Sequence, residues 1–176
     1  MHYHREVTVS PFIPIAHGCR NKMGNRLISG ILQRADLNAF NLASIVETRD
    51  VGTVLQRLAE QRINIEFVNQ IPRKNGYSDV ILCVDKKDVQ STHALLEEIK
   101  TTICAREVSP LGGVGILSLF PHREHAVISG MIMQTLSDAH IPLFAMASSL
   151  SAISCVIQEE QILEALSLLS RKFGLS

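Results

Sequence analysis

A turn of four polar residues lies between a predicted strand and a predicted helix, and its residues are Glu47, Thr48, Arg49 and Asp50. The helix is indicated by Val51, Val54 and Leu58, whose three- and four-residue spacing places them on one apolar face. The first backbone N–H groups of a helix have no partner inside it, and they can bind a carboxylate. We therefore expect this turn to bind a carboxylate group.

A second set of polar side chains lies on or just after the strand that follows this helix. Every second residue from Ile63 to Phe67 is apolar, which indicates a strand with one buried face. Glu66, Asn69 and Gln70 carry oxygen atoms that can accept hydrogen bonds from an ammonium group. The two sets together could bind a zwitterion. The alternative is that Glu66 and Asn69 are ordinary solvent-facing strand residues.

No other set of residues has the pattern of a catalytic or metal site. His122 and His125 could share a helix face, but no third ligand is indicated and solvated turn residues are favoured. The glycines from Gly112 to Gly115 are not followed by the Gly-Lys-Ser/Thr of a phosphate-binding loop. The serines from Ser148 to Ser154 have no partner for nucleophilic catalysis. We expect no enzyme activity, no metal and no cofactor.

Composition restricts the classes of partner. The chain has 176 residues, 46% of them hydrophobic, and a formal net charge of +0, which gives no reason to expect nucleic acid or a membrane surface as partner. It has no recognisable signal peptide and no apolar run near the roughly 20 residues of a membrane span. Cysteines such as Cys83 and Cys155 lie in apolar strand patterns without C-x-x-C spacing. We expect reduced, buried thiols and a cytoplasmic location.

The turn, helix and strand described above occur twice in the chain. Leu58 aligns with Leu136 and Ile63 with Ile141, each 78 positions further on. Downstream, the segment VILCVDKKD is matched by AISCVIQEE. A repeat of this length indicates a duplicated domain rather than a solenoid. The first copy reads as strand, helix, strand, strand, helix and strand, which is the ferredoxin-like order.

The second copy lacks the final strand of this pattern, because its last helix ends near Gly174. An open sheet edge needs a cover. The apolar segment Leu27 to Gln33, set apart by a predicted turn at Ala35 to Asn38, belongs to neither copy and is the natural replacement. We predict that it completes the second module and that Ile103 to Val108 closes the first. A linker at Pro110 to Gly113 should join the copies.

The sequence thus predicts an α+β fold of two ferredoxin-like (βαββαβ) modules, the first inserted into the second. The first module should span residues 37–109, and the second should combine 27–36 with 110–176. Residues 1–26 should form an N-terminal arm or linker.

This arrangement resembles a tandem of ACT domains, which are regulatory amino-acid-binding modules, and more narrowly the C-terminal regulatory region of aspartate kinases. IPIAHGCRNKMGNRLISGI, from Ile13 to Ile31, is similar to the segment that joins the catalytic and regulatory regions of those kinases. RINIEFVNQ, from Arg62 to Gln70, resembles the ligand-facing second strand of the first module. VGILSLF and HAVISGMIMQTLSDAHIPL resemble the second module, and RKFGLS resembles the family's C-terminus.

The resemblance implies an amino-acid effector bound by the first module, with lysine and threonine as candidates. It adds Asn64 and Ile65 to the predicted effector residues, as contacts at an interface between modules. It also implies a homodimer, with a separate enzyme subunit as a further partner.

Two features depart from the family. We expect the protein to lack the kinase domain, and neither strand-to-helix turn carries the Pro-Gly of many ACT modules. The second turn, from Glu124 to Val127, has no glycine, which hinders close approach of the backbone to a ligand. Two functions remain open. The protein is either a regulatory protein that binds an amino acid and modulates an enzyme such as aspartate kinase, or a ligand-free dimerisation or scaffolding module derived from that region.

Overall fold

The computed structural model describes residues 27–45, 47–73, 76–122 and 125–175, and the predicted arm over residues 1–26 lies outside these ranges. One-turn 3₁₀ helices precede α2 and α4, and no helix among the described residues is long and apolar enough to cross a membrane. In chain order the elements are β1 (Ile28–Ile45), α1 (Thr48–Glu60), β2 (Ile65–Pro72), β3 (Ser78–Asp85), α2 (Val89–Ile99), β4 (Glu107–His122), α3 (His125–Asp138), β5 (Leu143–Ser148), β6 (Ile153–Gln158) and α4 (Ile162–Phe173).

The chain divides into two compact units. The first unit comprises Ala35–Gly115 and Gln158–Glu160, and its strands lie in the order β2-β3-β1-β4. The second unit contains the described residues before Ala35, together with Ile116–Ile157 and the chain from Gln161 onward, with strand order β1-β4-β6-β5. The predicted α+β fold of two ferredoxin-like modules, the first inserted into the second, is confirmed. The exact residue limits of the two modules stay a prediction.

The core of the first unit lies between its sheet and the helices α1 and α2. Phe40 of β1, Leu82 of β3 and Leu96 of α2 are fully buried in it. Val54 and Leu58 of α1 join them, as the spacing of apolar residues predicts. Burying a side chain of this size contributes about 1.5–3 kcal/mol, so this contact fixes the position of α1 on the sheet.

β1 is one continuous strand, and the turn predicted at Ala35 to Asn38 is wrong. Asp36 has a φ of 56°, in the left-handed region that aspartate tolerates better than most residues. Its N–H donates to Oε1 of Glu159 at 3.2 Å. A local distortion at one residue therefore lets the strand continue from Ile28–Arg34 into the first unit.

β4 differs from the prediction in the same way. The linker predicted at Pro110 to Gly113 lies inside this strand, and Gly112 has a φ of 89°, which glycine adopts without strain. The strand predicted from Ile103 to Val108 begins only at Glu107. Ile103 is nevertheless fully buried, because the turn that follows α2 packs into the core. The apolar pattern there came from a buried turn.

The duplication is visible in backbone details. Arg62 and His140, which are 78 positions apart, follow the first helix of each copy, and both have a positive φ, of 60° and 56°. The next residue donates its N–H to the helix in both cases, Ile63 to the carbonyl of Leu58 at 3.0 Å and Ile141 to that of Leu136 at 2.9 Å. Both copies thus end this helix with a residue of positive φ followed by a hydrogen bond back to the helix.

Helix α4 ends as predicted. Gly174 adopts the left-handed conformation, and its N–H donates to the carbonyl of Arg171 at 3.2 Å. The two cysteines predicted to be buried are buried, Cys83 on β3 and Cys155 on β6, and neither forms a disulfide. Burial raises the pKa of each thiol to about 12, so both stay protonated and unreactive at neutral pH.

Candidate effector site

The start of α1 is not capped by any side chain. Glu47 occupies the position before the helix in an extended conformation, and its carbonyl accepts the N–H of Asp50 at 3.0 Å. The Glu47 and Arg49 side chains form an ion pair of 3.4 Å in which both are well exposed. An uncapped helix start with exposed residues is suited to an external carboxylate. The structure therefore retains the feature on which the carboxylate prediction depends.

The strand that leads into this turn ends in a β-bulge. Leu42 pairs with Val80 and Ile45 pairs with Ser78, so two residues of β1 lie opposite Asp79 alone. One of them, Ser44, has a φ of 59°, and its N–H donates to Oδ1 of Asp79 at 3.0 Å. The bulge lies three residues before Glu47, the residue that precedes α1.

Asp79 is held by a second partner. Nε of Arg73 donates to its Oδ2 at 2.6 Å, and Nη2 of the same guanidinium contacts the same oxygen. Burial by itself raises the pKa of Asp79, but the Ser44 N–H and the Arg73 guanidinium outweigh burial and hold the pKa below its ordinary value. Asp79 is therefore ionised at neutral pH.

The start of β2 carries another bulge, with Glu66 as its extra residue. Ile65 pairs with Val84 and Phe67 with Cys83, which leaves Glu66 without an opposite residue on β3. Nδ2 of Asn64 donates to Oε1 of Glu66 at 2.8 Å. The two side chains predicted to contact an effector here are thus already joined to each other.

Asn69 and Gln70 lie further along β2, nearer to the hairpin that joins it to β3. Asn69 pairs with Ile81 and Gln70 pairs with Val80. Nε2 of Gln70 donates to Oγ of Ser78 at 3.0 Å, which leaves the oxygen of this amide for another partner.

The strand register separates the predicted residues into two groups. Ile45, the last residue of β1 before α1, pairs with Ser78. Ser78 also pairs with Pro72, the last residue of β2. Ile65, the first residue of β2, is seven positions from Pro72, or roughly 20 Å at the rise of a strand. Glu66 therefore lies far from the start of α1 in the same unit. One amino acid cannot place its carboxylate near Thr48 and its ammonium against that Glu66, and this part of the prediction is wrong.

Sequence reasoning could have found this separation. A helix that packs back along its sheet ends where the next strand begins, so the start of α1 and the start of β2 must be at opposite ends. It missed the group of Ser44, Arg73 and Asp79 entirely. The signal for that group was an acidic residue at the head of an otherwise apolar strand, SDVILCVD.

The two copies differ strongly at the predicted effector positions. In the second copy the bulge is retained between Leu143 and Ala145, but its extra residue is Phe144 instead of glutamate. The residues 78 positions after Asn64, Asn69 and Gln70 are Pro142, Ala147 and Ser148, and those after Thr48, Arg49 and Asp50 are Ala126, Val127 and Ile128. The first unit alone therefore carries the polar set among the described residues.

The described residues contain no group of three His, Cys, Asp or Glu side chains placed to hold a metal ion. The side chains of His122 and His125 lie outside the described part of the chain, as does Glu124 of the second turn.

Comparison with known proteins defines the fold. No family model and no curated protein matches the sequence. A solved structure of the alpha and beta subunits of aspartokinase matches with a TM-score of 0.74 and 21% identity, over 82% of this chain and 97% of that one. The ligand-free regulatory subunit of aspartate kinase from Thermus thermophilus matches with a TM-score of 0.73 and 19% identity, over 84% and 99%.

A further solved structure is that of E. coli aspartokinase III in complex with lysine and aspartate, in the T-state. It matches with a TM-score of 0.59 and 17% identity, over 83% of this chain and 33% of that one. The chain therefore has the fold of the tandem ACT regulatory region of aspartate kinases, and the resemblance identified from its motifs is confirmed.

Proposed function

We propose that the protein is a non-catalytic regulatory protein that binds an amino-acid effector through its first ACT module and modulates an enzyme of amino-acid metabolism such as aspartate kinase. The observation that carries the proposal is the difference between the two copies. The bulge of β2 presents Glu66, whereas the same bulge in β5 presents Phe144. A carboxylate offers an ammonium group a negative charge and lone-pair acceptors, and a phenyl ring has neither.

Within one unit the start of α1 is far from Glu66, and this distance favours a site built from two copies of the chain. The start of α1 from one copy would bind the carboxylate, and Asn64, Ile65 and Glu66 of the other copy would contact the ammonium end. Both partial sites are needed for one ligand, so the homodimer becomes part of the binding mechanism. The two-fold axis of such a dimer generates two equivalent sites.

Lysine and threonine are the effectors that we propose to test first. The aspartokinase III structure, described as a complex with lysine and aspartate, supports a search among amino acids of this kind. The structure of aspartokinase alpha and beta subunits likewise supports a separate enzyme subunit as the partner through which the effector acts.

Calorimetric titration with L-lysine and L-threonine tests the proposal. The parent should bind at least one of them, and Glu66→Gln should weaken binding about tenfold or more because a desolvated ammonium loses its charged partner. Glu164→Gln, an exposed change on α4, is the matched control and should bind like the parent. Heat from neither amino acid with the parent protein would favour the alternative, a ligand-free dimerisation or scaffolding module.

A further inference from the structure

Asp79 is a buried acidic residue outside the predicted effector set. It is 7% exposed, and it is the one Asp, Glu, Lys or Arg among the described residues that is buried to this degree. A buried carboxylate persists only where partners compensate for its lost hydration. Both of its partners, Ser44 and Arg73, come from segments next to the ends of neighbouring strands.

The contact with Ser44 acts on the turn before α1. Ser44 lies in the left-handed region, which residues other than glycine rarely adopt, and it lies three positions before Glu47. The carbonyl of the preceding residue, Ala43, accepts the N–H of Arg106 at 3.0 Å. The bulge is thus held from two sides, by Asp79 and by the start of β4.

We propose that Asp79 is a positioning residue for the effector site, because its carboxylate holds the Ser44 bulge and thereby fixes the position of the helix start that binds the effector carboxylate. The inference rests on the proposed function, and it adds a residue that acts through the turn without touching the ligand. Arg73 has the secondary role of keeping the Asp79 carboxylate ionised and oriented. Its own side chain is 63% exposed, so its loss should matter less than that of Asp79.

Three variants separate positioning from a general loss of stability. Asp79→Ala removes the acceptor of the Ser44 N–H, whereas Asp79→Asn keeps an oxygen of the same size in its place. Val80→Ala is the matched control, since it truncates the neighbouring residue, which packs into the core of the same unit. Each variant is titrated with L-lysine and L-threonine at a temperature at which all are folded.

We expect Asp79→Ala to lose about tenfold or more in affinity and Asp79→Asn to stay within about threefold of the parent. Val80→Ala should bind like the parent, because destabilising the core leaves the turn of the folded molecules unchanged. If Val80→Ala and Asp79→Ala lose affinity equally, Asp79 has only a structural role and the inference is overturned.

Amide hydrogen exchange of the ligand-free protein, read by NMR, gives a second readout that needs no effector. In Asp79→Ala the amides of Ser44 and of Asp50, whose N–H donates to the carbonyl of Glu47, should exchange at least about tenfold faster than in the parent, while those of α3 should not change. Unchanged exchange at Ser44 would overturn the inference whatever the titrations show. If the parent binds neither amino acid but exchange accelerates as expected, the proposed effector function fails and the structural link from Asp79 to the turn stands.

Discussion

At the scale of single residues, the best-defined chemistry of the first unit is the group formed by Asp79, Ser44 and Arg73. Asp79 alone has a signal in the sequence, and its contact with Ser44 does not, because the contact joins residues 35 positions apart across a bulge. Of the polar residues that sequence reasoning did identify, Glu66, Asn69 and Gln70 lie on the strand β2, as predicted. What it did not supply was the separation between Glu66 and the start of α1, which follows from the direction in which the helix packs along the sheet.

Asp79 should make the stability of the protein depend on pH. Its pKa is lower in the folded protein than the ordinary value of 3.8, so its ionised form stabilises the fold above that pH. The contribution should be lost as the pH falls through the lower folded pKa. Urea unfolding at pH 7 should show Asp79→Asn to be less stable than the parent by about 1–2 kcal/mol. The difference should shrink steadily as the pH is lowered below 3.8.

A control variant distinguishes the pH dependence contributed by Asp79 from that of exposed carboxylates in general. Glu164→Gln should leave the pH dependence of unfolding as it is in the parent. A gap between parent and Asp79→Asn that stays constant from pH 7 downward would mean that the Asp79 charge does not stabilise the fold.

At the scale of elements, the helices and the duplication were predictable because their apolar spacing is regular. The end of α4 at Phe173 agrees with the end predicted near Gly174. The long strands β1 and β4 were not predictable. Proline, glycine and charged residues inside them resemble turn signals, whereas Asp36 and Gly112 distort the strands without ending them.

Gly113 gives a prediction at this scale. A Cβ at this position would lie 2.7 Å from Oε2 of Glu159, whose carboxylate accepts the N–H of Asp36 and pairs with Lys86. Gly113→Ala should therefore displace this carboxylate and destabilise the protein by about 1–2 kcal/mol in urea unfolding.

Gly52 provides the comparison. It lies on the exposed side of α1, and a Cβ added to it would have no neighbouring atom within 4 Å. Gly52→Ala should stabilise the protein by up to about 1 kcal/mol, because alanine favours a helix. Equal stability of the two variants would show that displacing the Glu159 carboxylate costs the protein no stability.

At the scale of the whole molecule, duplication has produced two modules of the same fold with different surfaces. The second copy keeps the helix stop at His140 and the bulge of β5, so the features that fold the chain are retained. Its counterparts to the effector residues are mostly apolar. We infer that the first module has the effector-binding role and that the second module has a structural role. We also infer that a homodimer completes the effector site.

Dimerisation has its own test. Sedimentation of the purified protein at tens of micromolar should show a dimer, since the proposed site needs two copies. A monomer under these conditions, with or without L-lysine and L-threonine, would leave no means of joining the start of α1 to Glu66. In that case the two-copy site would have to be abandoned.

The central claim is that one effector is bound by residues from two copies of the first module, and titration of mixed variants tests it most directly. Glu66→Gln removes the ammonium partner. Thr48→Pro removes one N–H at the start of α1 while keeping the helix, because proline is tolerated at this position and Glu47 is already extended. Each variant alone should bind the effector weakly or not at all.

Mixing the two variants and allowing their subunits to exchange should restore tight binding. Each mixed dimer has one intact site, formed by the helix start of one copy and Glu66 of the other, so about a quarter of the parent's sites should reappear in calorimetry. A mixture that stays as weak as its components, although both variants are folded and exchange subunits, would contradict the account.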